Sequence, residues 1–195
     1  MKDIFQRIYL SNKWGSNESK SGKGSELSST EVIRKELPEL VKKLNVKSVL
    51  DIPCGDYNYM KEIDLNCDYI GADIVSELIA SNSMKYPNVK FMCLDIVNSK
   101  LPKCDLVIVR DCLVHLSNKE VFKALDNIKE SGCKYILTTS FSEFANKDIS
   151  TGQWRPINLA APPFNYNPIM VIKEGDRQKE YENKSLYLYE NEYNR

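Results

Sequence analysis

A chain of 195 residues is long enough to bury a proper core as a single domain. Its 27 Lys and Arg balance 27 Asp and Glu, giving zero net charge and a pI of about 6.6, which argues against a general nucleic-acid binder with a basic excess or stripe. No apolar run is long enough to span a membrane, so no membrane insertion is expected, and the N-terminus lacks the apolar core of a signal peptide. The cysteines at 54, 67, 93, 104, 112 and 133 never form C-x-x-C, and several lie in apolar runs. They read as small hydrophobes in a reducing compartment rather than disulfides or zinc ligands, and predict a soluble cytoplasmic protein.

Residues 11–30 are rich in Ser, Gly and Lys, a composition that predicts a mobile segment. Trp14 stands out within it. It is either a plug on a lid that orders over ligands or an aromatic packed on the domain. Ser28-Ser29-Thr30 before Glu31 reads as a helix N-cap. Val32, Ile33, Leu37, Leu40, Val41 and Leu44 then share one helical face, with Pro38 as a break or kink. Strands are predicted at 47–52, 68–72, 89–94, 105–109 and 134–140, and helices near 57–64, 76–86 and 118–130. Short apolar strands alternating with helices predict an α/β fold, a doubly wound, mostly parallel sheet covered on both faces. Residues 141–168 break the rhythm with Pro156, Pro162, Pro163 and Pro168, as a functional loop would. Segments 169–173 and 185–190 supply two final strands, seven in all. The expected organisation is a leader or lid over 1–30 and one domain over 31–195, with 141–168 on the acceptor side.

The segment Val49-Leu50-Asp51-Ile52-Pro53-Cys54-Gly55-Asp56-Tyr57 reads as a buried strand ending in a tight acidic turn. Asp73 closes the next short strand, 22 residues after Asp51. Strand, turn, helix, strand and acid is the arrangement by which a doubly wound sheet holds the adenosine half of a cofactor. A dinucleotide site needs three glycines so that a pyrophosphate can meet backbone. This turn has only Gly55, and it carries Asp56 where a diphosphate would come close. Aligned on Asp51, the pattern D-x-P-x-G-x-Y resembles the acidic first motif of class I S-adenosylmethionine (SAM) methyltransferases. SAM bears a sulfonium and an ammonium, which an acidic turn suits. An NAD-dependent oxidoreductase or epimerase is the competing reading from another enzyme class.

The turn, Gly71-Ala72-Asp73, Cys93-Leu94-Asp95-Ile96 and Asp105-Leu106-Val107-Ile108-Val109-Arg110-Asp111 are spaced like the successive motifs of that family, over residues 45–140. The resemblance implies a Rossmann-like class I methyltransferase fold with SAM as cofactor. Asp51, Pro53, Gly55 and Asp56 would line the cofactor turn, Asp73 would hold the ribose, and Asp95 with Ile96 would face the adenine. Arg110, Asp111 and His115 would lie where methyl group and acceptor meet. Tyr9-x-x-Asn-x-Trp-Gly and Asp148-Ile-x-x-Gly-x-Trp-Arg-x-Ile-Asn-Leu extend the resemblance to a small bacterial subfamily linked to capsule and surface-polysaccharide modification. That likeness implies a sugar hydroxyl as acceptor, on a nucleotide-activated hexose or heptose. The departures are Pro53 and Tyr57 in place of glycines, and the lack of an Asp-Asp pair after the fourth strand, so no metal is expected.

A sugar hydroxyl is barely acidic, and His115, the chain's one histidine, titrates in the range a neutral-pH base requires. If the residues after Asp111 are helical, His115 shares its face at i+4, and Asp111 either orients the imidazole or meets the acceptor itself. The bland alternative is a histidine that satisfies a local hydrogen bond. Arg155 in Gly152-Gln153-Trp154-Arg155-Pro156 is either a bidentate phosphate clamp or a surface arginine paired with a carboxylate. Trp154 offers a face to a sugar ring, or closes the core. Tyr57 borders the methionine pocket. A non-catalytic SAM-binding module would carry the same motifs with no methyl transfer.

Overall fold

The computed structural model describes residues 1–175 and 182–191. Seven strands form one mostly parallel sheet, as the strand spacing predicts, in the order β3-β2-β1-β4-β5-β7-β6. The residues group into two compact units, Met1–Asp95 and Ile96–Arg195. Among the described residues, no helix is long and apolar enough to cross a membrane.

The first unit contains α1 (Lys2–Leu10), α2 (Glu31–Lys43), β1 (Ser48–Asp51), β2 (Asp68–Asp73), α3 (Ser76–Lys85) and β3 (Lys90–Cys93). Its strands are parallel, with Asp51 opposite Gly71 and Asp73 opposite Cys93, so the acids ending β1 and β2 fall at the carboxyl ends of their strands. Helix α2 buries Ile33, Leu37, Leu40 and Val41. Pro38 lies inside it without ending it: one missing N–H is outweighed by an apolar face that is almost wholly buried. Thr30 occupies the N-cap position, but its hydroxyl donates back to the carbonyls of Glu26 and Leu27 instead of capping the helix.

A helix over 57–64 does not form. Tyr57 has φ +61°, which ends any helical run, and the segment contributes only a short 3-10 turn at Met60–Glu62. Asn58 spends its side-chain amide on Glu18 at 2.7 Å and on the Ser25 carbonyl at 3.0 Å, a polar competition that favours turns over helix. Helix α1, unpredicted, buries Ile8.

The second unit contains β4 (Leu106–Val109), α4 (Asn118–Glu130), β5 (Tyr135–Phe141), β6 (Met170–Lys173) and β7 (Lys184–Glu190). β4 and β5 are parallel, while β7 runs antiparallel to both β5 and β6. All of β4 is buried, which is why it reads as an unbroken apolar run. Helix α4 is capped by Ser117, whose hydroxyl oxygen accepts from the Glu120 amide, and it buries Val121, Ala124, Leu125 and Ile128.

Candidate active site

In the first unit, β1 runs into the turn Ile52–Tyr57, which is held to β2 by a hydrogen bond from the Cys54 amide to the Ala72 carbonyl at 2.8 Å. Gly55 has φ +55°, and a Cβ there would sit 2.1 Å from Ser21 Oγ, so both the backbone and its neighbour demand glycine. Asp51 is buried, and the Tyr69 hydroxyl donates to its Oδ2 at 2.8 Å. Pro53 follows it in the turn through a cis peptide bond.

Asp73, only 7% exposed, accepts from the amides of Gly55 at 3.3 Å and Val75 at 3.0 Å. Burial raises its pKa to about 6, against the opposing pull of the Val75, Gly55 and Ile74 amides. All three of these donors are backbone N–H groups, while a carboxylate offers about four acceptor sites. Asp73 therefore retains acceptor capacity suited to a ribose hydroxyl. Asp95, two residues beyond β3, is half-buried.

Asp56 is differently committed. Its Oδ1 accepts from the Ser19 hydroxyl at 2.8 Å and from the Ser21 hydroxyl at 3.2 Å, while its Oδ2 accepts from the Lys20 amide at 2.8 Å. The Asp56 amide donates in turn to Ser21 Oγ at 2.9 Å. Asp56, expected as a cofactor ligand, is the post to which residues 16–30 are tied. That segment forms a strap: Ser16 donates to Glu26 at 2.8 Å, and Glu18 accepts from the Leu27 amide and from Asn58. Its serines supply the hydroxyls that hold it, so a composition that reads as disorder builds a polar latch. Trp14 packs against Gly22, where a Cβ would lie 3.0 Å from its own. Tyr57 sits in an aromatic cluster with Tyr69, Tyr86 and Phe91, at centroid distances of 5.1–5.5 Å.

In the second unit, Ile96 is buried and its carbonyl accepts from Asn127 at 2.8 Å. The end of β4 carries Arg110 and Asp111. Arg110 is buried, with Nε donating to Glu174 at 3.0 Å and a terminal nitrogen 3.3 Å from Asp111. Its guanidinium is thus drawn into an ion network. Lys184 closes that network, 2.7 Å from Asp111 and 3.5 Å from Glu174. The Asp111 amide donates to Thr139 Oγ1 at 2.9 Å, and that hydroxyl donates back to Oδ1 at 3.2 Å. Burial pushes the Asp111 carboxyl up, but Lys184 and Arg110 prevail and hold it well below the usual carboxylate range. It stays an anion, 30% of its side chain still open to solvent. Lys184, Glu174 and Thr139 carry no motif; Lys184 lies 73 residues from Asp111.

The residues after Asp111 are not α-helical. Asp111 has φ +52°, and Leu113–His115 form a single 3-10 turn, so the expected i+4 face does not exist. The imidazole of His115 is oriented by Gln153, with Nδ1 2.9 Å from its carbonyl oxygen. A carbonyl can only accept, so in the neutral ring this contact favours the tautomer with its proton on Nδ1 and its lone pair on Nε2. Burial lowers the pKa of His115, opposed by the Gln153 carbonyl. Trp154 is 42% exposed, and its ring meets Phe141 edge to face at 6.1 Å.

Arg155 is not a surface arginine. It is buried, and donates from Nε to the Lys147 carbonyl at 3.2 Å and from its terminal nitrogens to the Leu113 carbonyl at 2.8 Å and Asn118 Oδ1 at 3.0 Å. Three of its five N–H groups are spent inside the protein.

Residues 49–131 match the family of methyltransferase domains. Protein 235L of Invertebrate iridescent virus 6, whose name carries a provisional methyltransferase assignment, is 33% identical over 132 residues, 62% of this chain. The chain spans about half the length of that relative, 49%. Among solved structures, magnesium protoporphyrin IX methyltransferase from Synechocystis PCC 6803, with bound SAM, superposes with a TM-score of 0.64 at 13% identity, covering 96% of this chain and 95% of that one. Human N-acetylserotonin methyltransferase in complex with SAM gives 0.67 at 14% identity, covering 96% and 59%. The N-methyltransferase NodS from Bradyrhizobium japonicum WM9, in complex with S-adenosylhomocysteine, gives 0.65 at 13% identity, covering 95% and 98%. The chain has the class I methyltransferase fold, and its residues 49–131 match the methyltransferase-domain family.

Proposed function

We propose that the protein is a SAM-dependent methyltransferase that methylates a hydroxyl of a sugar. SAM supplies an activated methyl group as a sulfonium. In the first unit, Asp73 accepts the ribose hydroxyls, and Gly55 gives the turn its close backbone approach, with Asp51 and Pro53 shaping that turn. Asp95, with the backbone of Ile96, faces the adenine. In the second unit, Trp154 offers an exposed aromatic face to a sugar ring, and Asp111, held ionised, accepts a hydrogen bond from a neighbouring hydroxyl. As the acceptor oxygen bonds to the methyl carbon and the carbon–sulfur bond breaks, His115 Nε2 takes the hydroxyl proton and later passes it to solvent. The observation that carries this reading is the His115 Nδ1–Gln153 contact, one residue from exposed Trp154.

The nucleotide portion of a nucleotide-activated sugar gains no support from Arg155. Capsule or surface-polysaccharide synthesis rests on the likeness of the two terminal segments alone. None of the six cysteines is in a disulfide, which accords with a cytoplasmic setting. Calorimetry with SAM, S-adenosylhomocysteine and NAD, followed by mass spectrometry of sugars and nucleotide-sugars incubated with SAM, tests the proposal. Micromolar binding of the first two, silence toward NAD and a mass gain of one methylene on a sugar are expected. His115→Ala should keep SAM affinity and lose turnover about 100-fold or more. Methylation of amines but not hydroxyls would overturn the sugar assignment, and NAD binding alone would overturn the enzyme class.

A further inference from the structure

The segment 113–118, which carries His115, and the loop 147–155 are zipped together along their whole shared length. The Arg155 amide donates to the Val114 carbonyl at 3.0 Å and the Gly152 amide to the His115 carbonyl at 2.9 Å. The Ser117 amide donates to Thr151 Oγ1 at 3.2 Å, and the Asn118 amide to Asp148 Oδ1 at 2.8 Å. The buried guanidinium of Arg155 spans both sides, holding Leu113 and Asn118 on one strand of the zipper and Lys147 on the other. Thr151 is further tied to Glu120 in the first turn of α4. Within this frame, the one contact that bears on chemistry is His115 Nδ1 to the Gln153 carbonyl.

We propose that Arg155 is a positioning residue that fixes His115 as its Nδ1–H tautomer, leaving Nε2 as the proton acceptor, by clamping the loop whose Gln153 carbonyl reads the ring. This rests on His115 being the base of the proposed reaction. An imidazole left to itself in water samples both tautomers. A carbonyl fixed 2.9 Å from Nδ1 removes that choice, because the other tautomer would put two lone pairs face to face. The carbonyl is fixed only while residues 147–155 keep their register on 113–118. Arg155 is a buried side chain that touches both, and its rigid fork of donors matches three acceptors at once. The groups that face the imidazole electrostatically are Asp111, favouring its charged form, and Arg155, disfavouring it.

The chain's single histidine makes the test direct, since each imidazole 15N signal belongs to His115. In the 15N-labelled 195-residue chain, long-range proton–nitrogen NMR should show one neutral tautomer, protonated at Nδ1, titrating below the ordinary imidazole range. Arg155→Met should mix the tautomers and raise that titration toward the ordinary value. Arg155→Lys, with fewer fixed donors, should fall between. Asn118→Ala, which removes one Arg155 partner, should shift the signals in the same direction by less, and serves where Arg155→Met does not fold. A wild-type ring protonated at Nε2, or folded variants with an unchanged tautomer and titration, would overturn the proposal. The spectra need no acceptor. Full turnover by His115→Ala, with the tautomer as expected, would remove the base and leave the positioning role standing.

Discussion

The strap over 16–30 and the loop over 147–155 are both irregular, both polar and both pinned to a short turn, yet they are pinned by opposite chemistry. The strap is tied by hydroxyls and an amide converging on one carboxylate, Asp56, which is itself partly open to solvent. The loop is tied by a buried cation, Arg155, reaching outward to a side-chain oxygen and two backbone carbonyls. Water can replace the partners of a part-exposed carboxylate at little net cost, but it cannot easily reach acceptors under a buried guanidinium. The first device is suited to opening and the second to holding still. That matches what the proposed function would ask of each region: a cofactor must enter and leave, whereas a base must keep its aim.

Breaking the rigid side should give the largest effect. Arg155→Ala strands three acceptors, and a loss of about 3–5 kcal/mol in denaturant unfolding is expected; a loss below about 1 kcal/mol would show the loop to be as loosely held as the strap. Asp73→Ala should weaken SAM about 10- to 100-fold with the fold intact, as the loss of charge-assisted hydrogen bonds worth about 1.5–3 kcal/mol requires. The same site should respond to acid. Because the pKa of Asp73 is raised to about 6, its carboxylate is progressively protonated below that pH, and SAM affinity should fall by up to about tenfold per pH unit. A raised carboxyl binds its proton more tightly in the folded state, so its contribution to stability grows over the same range; lost affinity near pH 6 is then not unfolding caused by this group. Asp56→Ala should cost least, about 1 kcal/mol, while speeding amide exchange across 16–30 and SAM dissociation several-fold. Unchanged exchange would mean that the strap is held by something other than its latch.

The strands were legible because each is a short apolar run bounded by turn residues, and the acids ending β1 and β2 fall in register through the parallel pairing. The place of Asp73 at the carboxyl end of β2 was legible because it follows from strand position alone. Other positions depend on partners distant in sequence. Asp56 reads as a ligand-facing acid until Ser19 and Ser21 occupy it, 37 and 35 residues away. Arg155 reads as an exposed charge, because nothing local shows that Leu113, 42 residues earlier, turns a carbonyl toward it. Tyr57 and Asp111 adopt positive φ although neither is glycine, and those two residues cancel the two helical expectations beside them. Local propensity foretells elements; it does not foretell where a side chain's hydrogen bonds are spent.

The quartet of Arg110, Asp111, Glu174 and Lys184 joins two cations and two anions within one hydrogen-bonding cluster. Its monopole vanishes, so its field decays with distance far faster than that of a lone carboxylate. In the proposed reaction Asp111 would therefore grip a hydroxyl on contact while exerting almost no pull at long range, and dissolved salt has little there to screen. The rate at which an acceptor finds this surface should be nearly independent of ionic strength, leaving selection among acceptors to shape and hydrogen bonding after arrival.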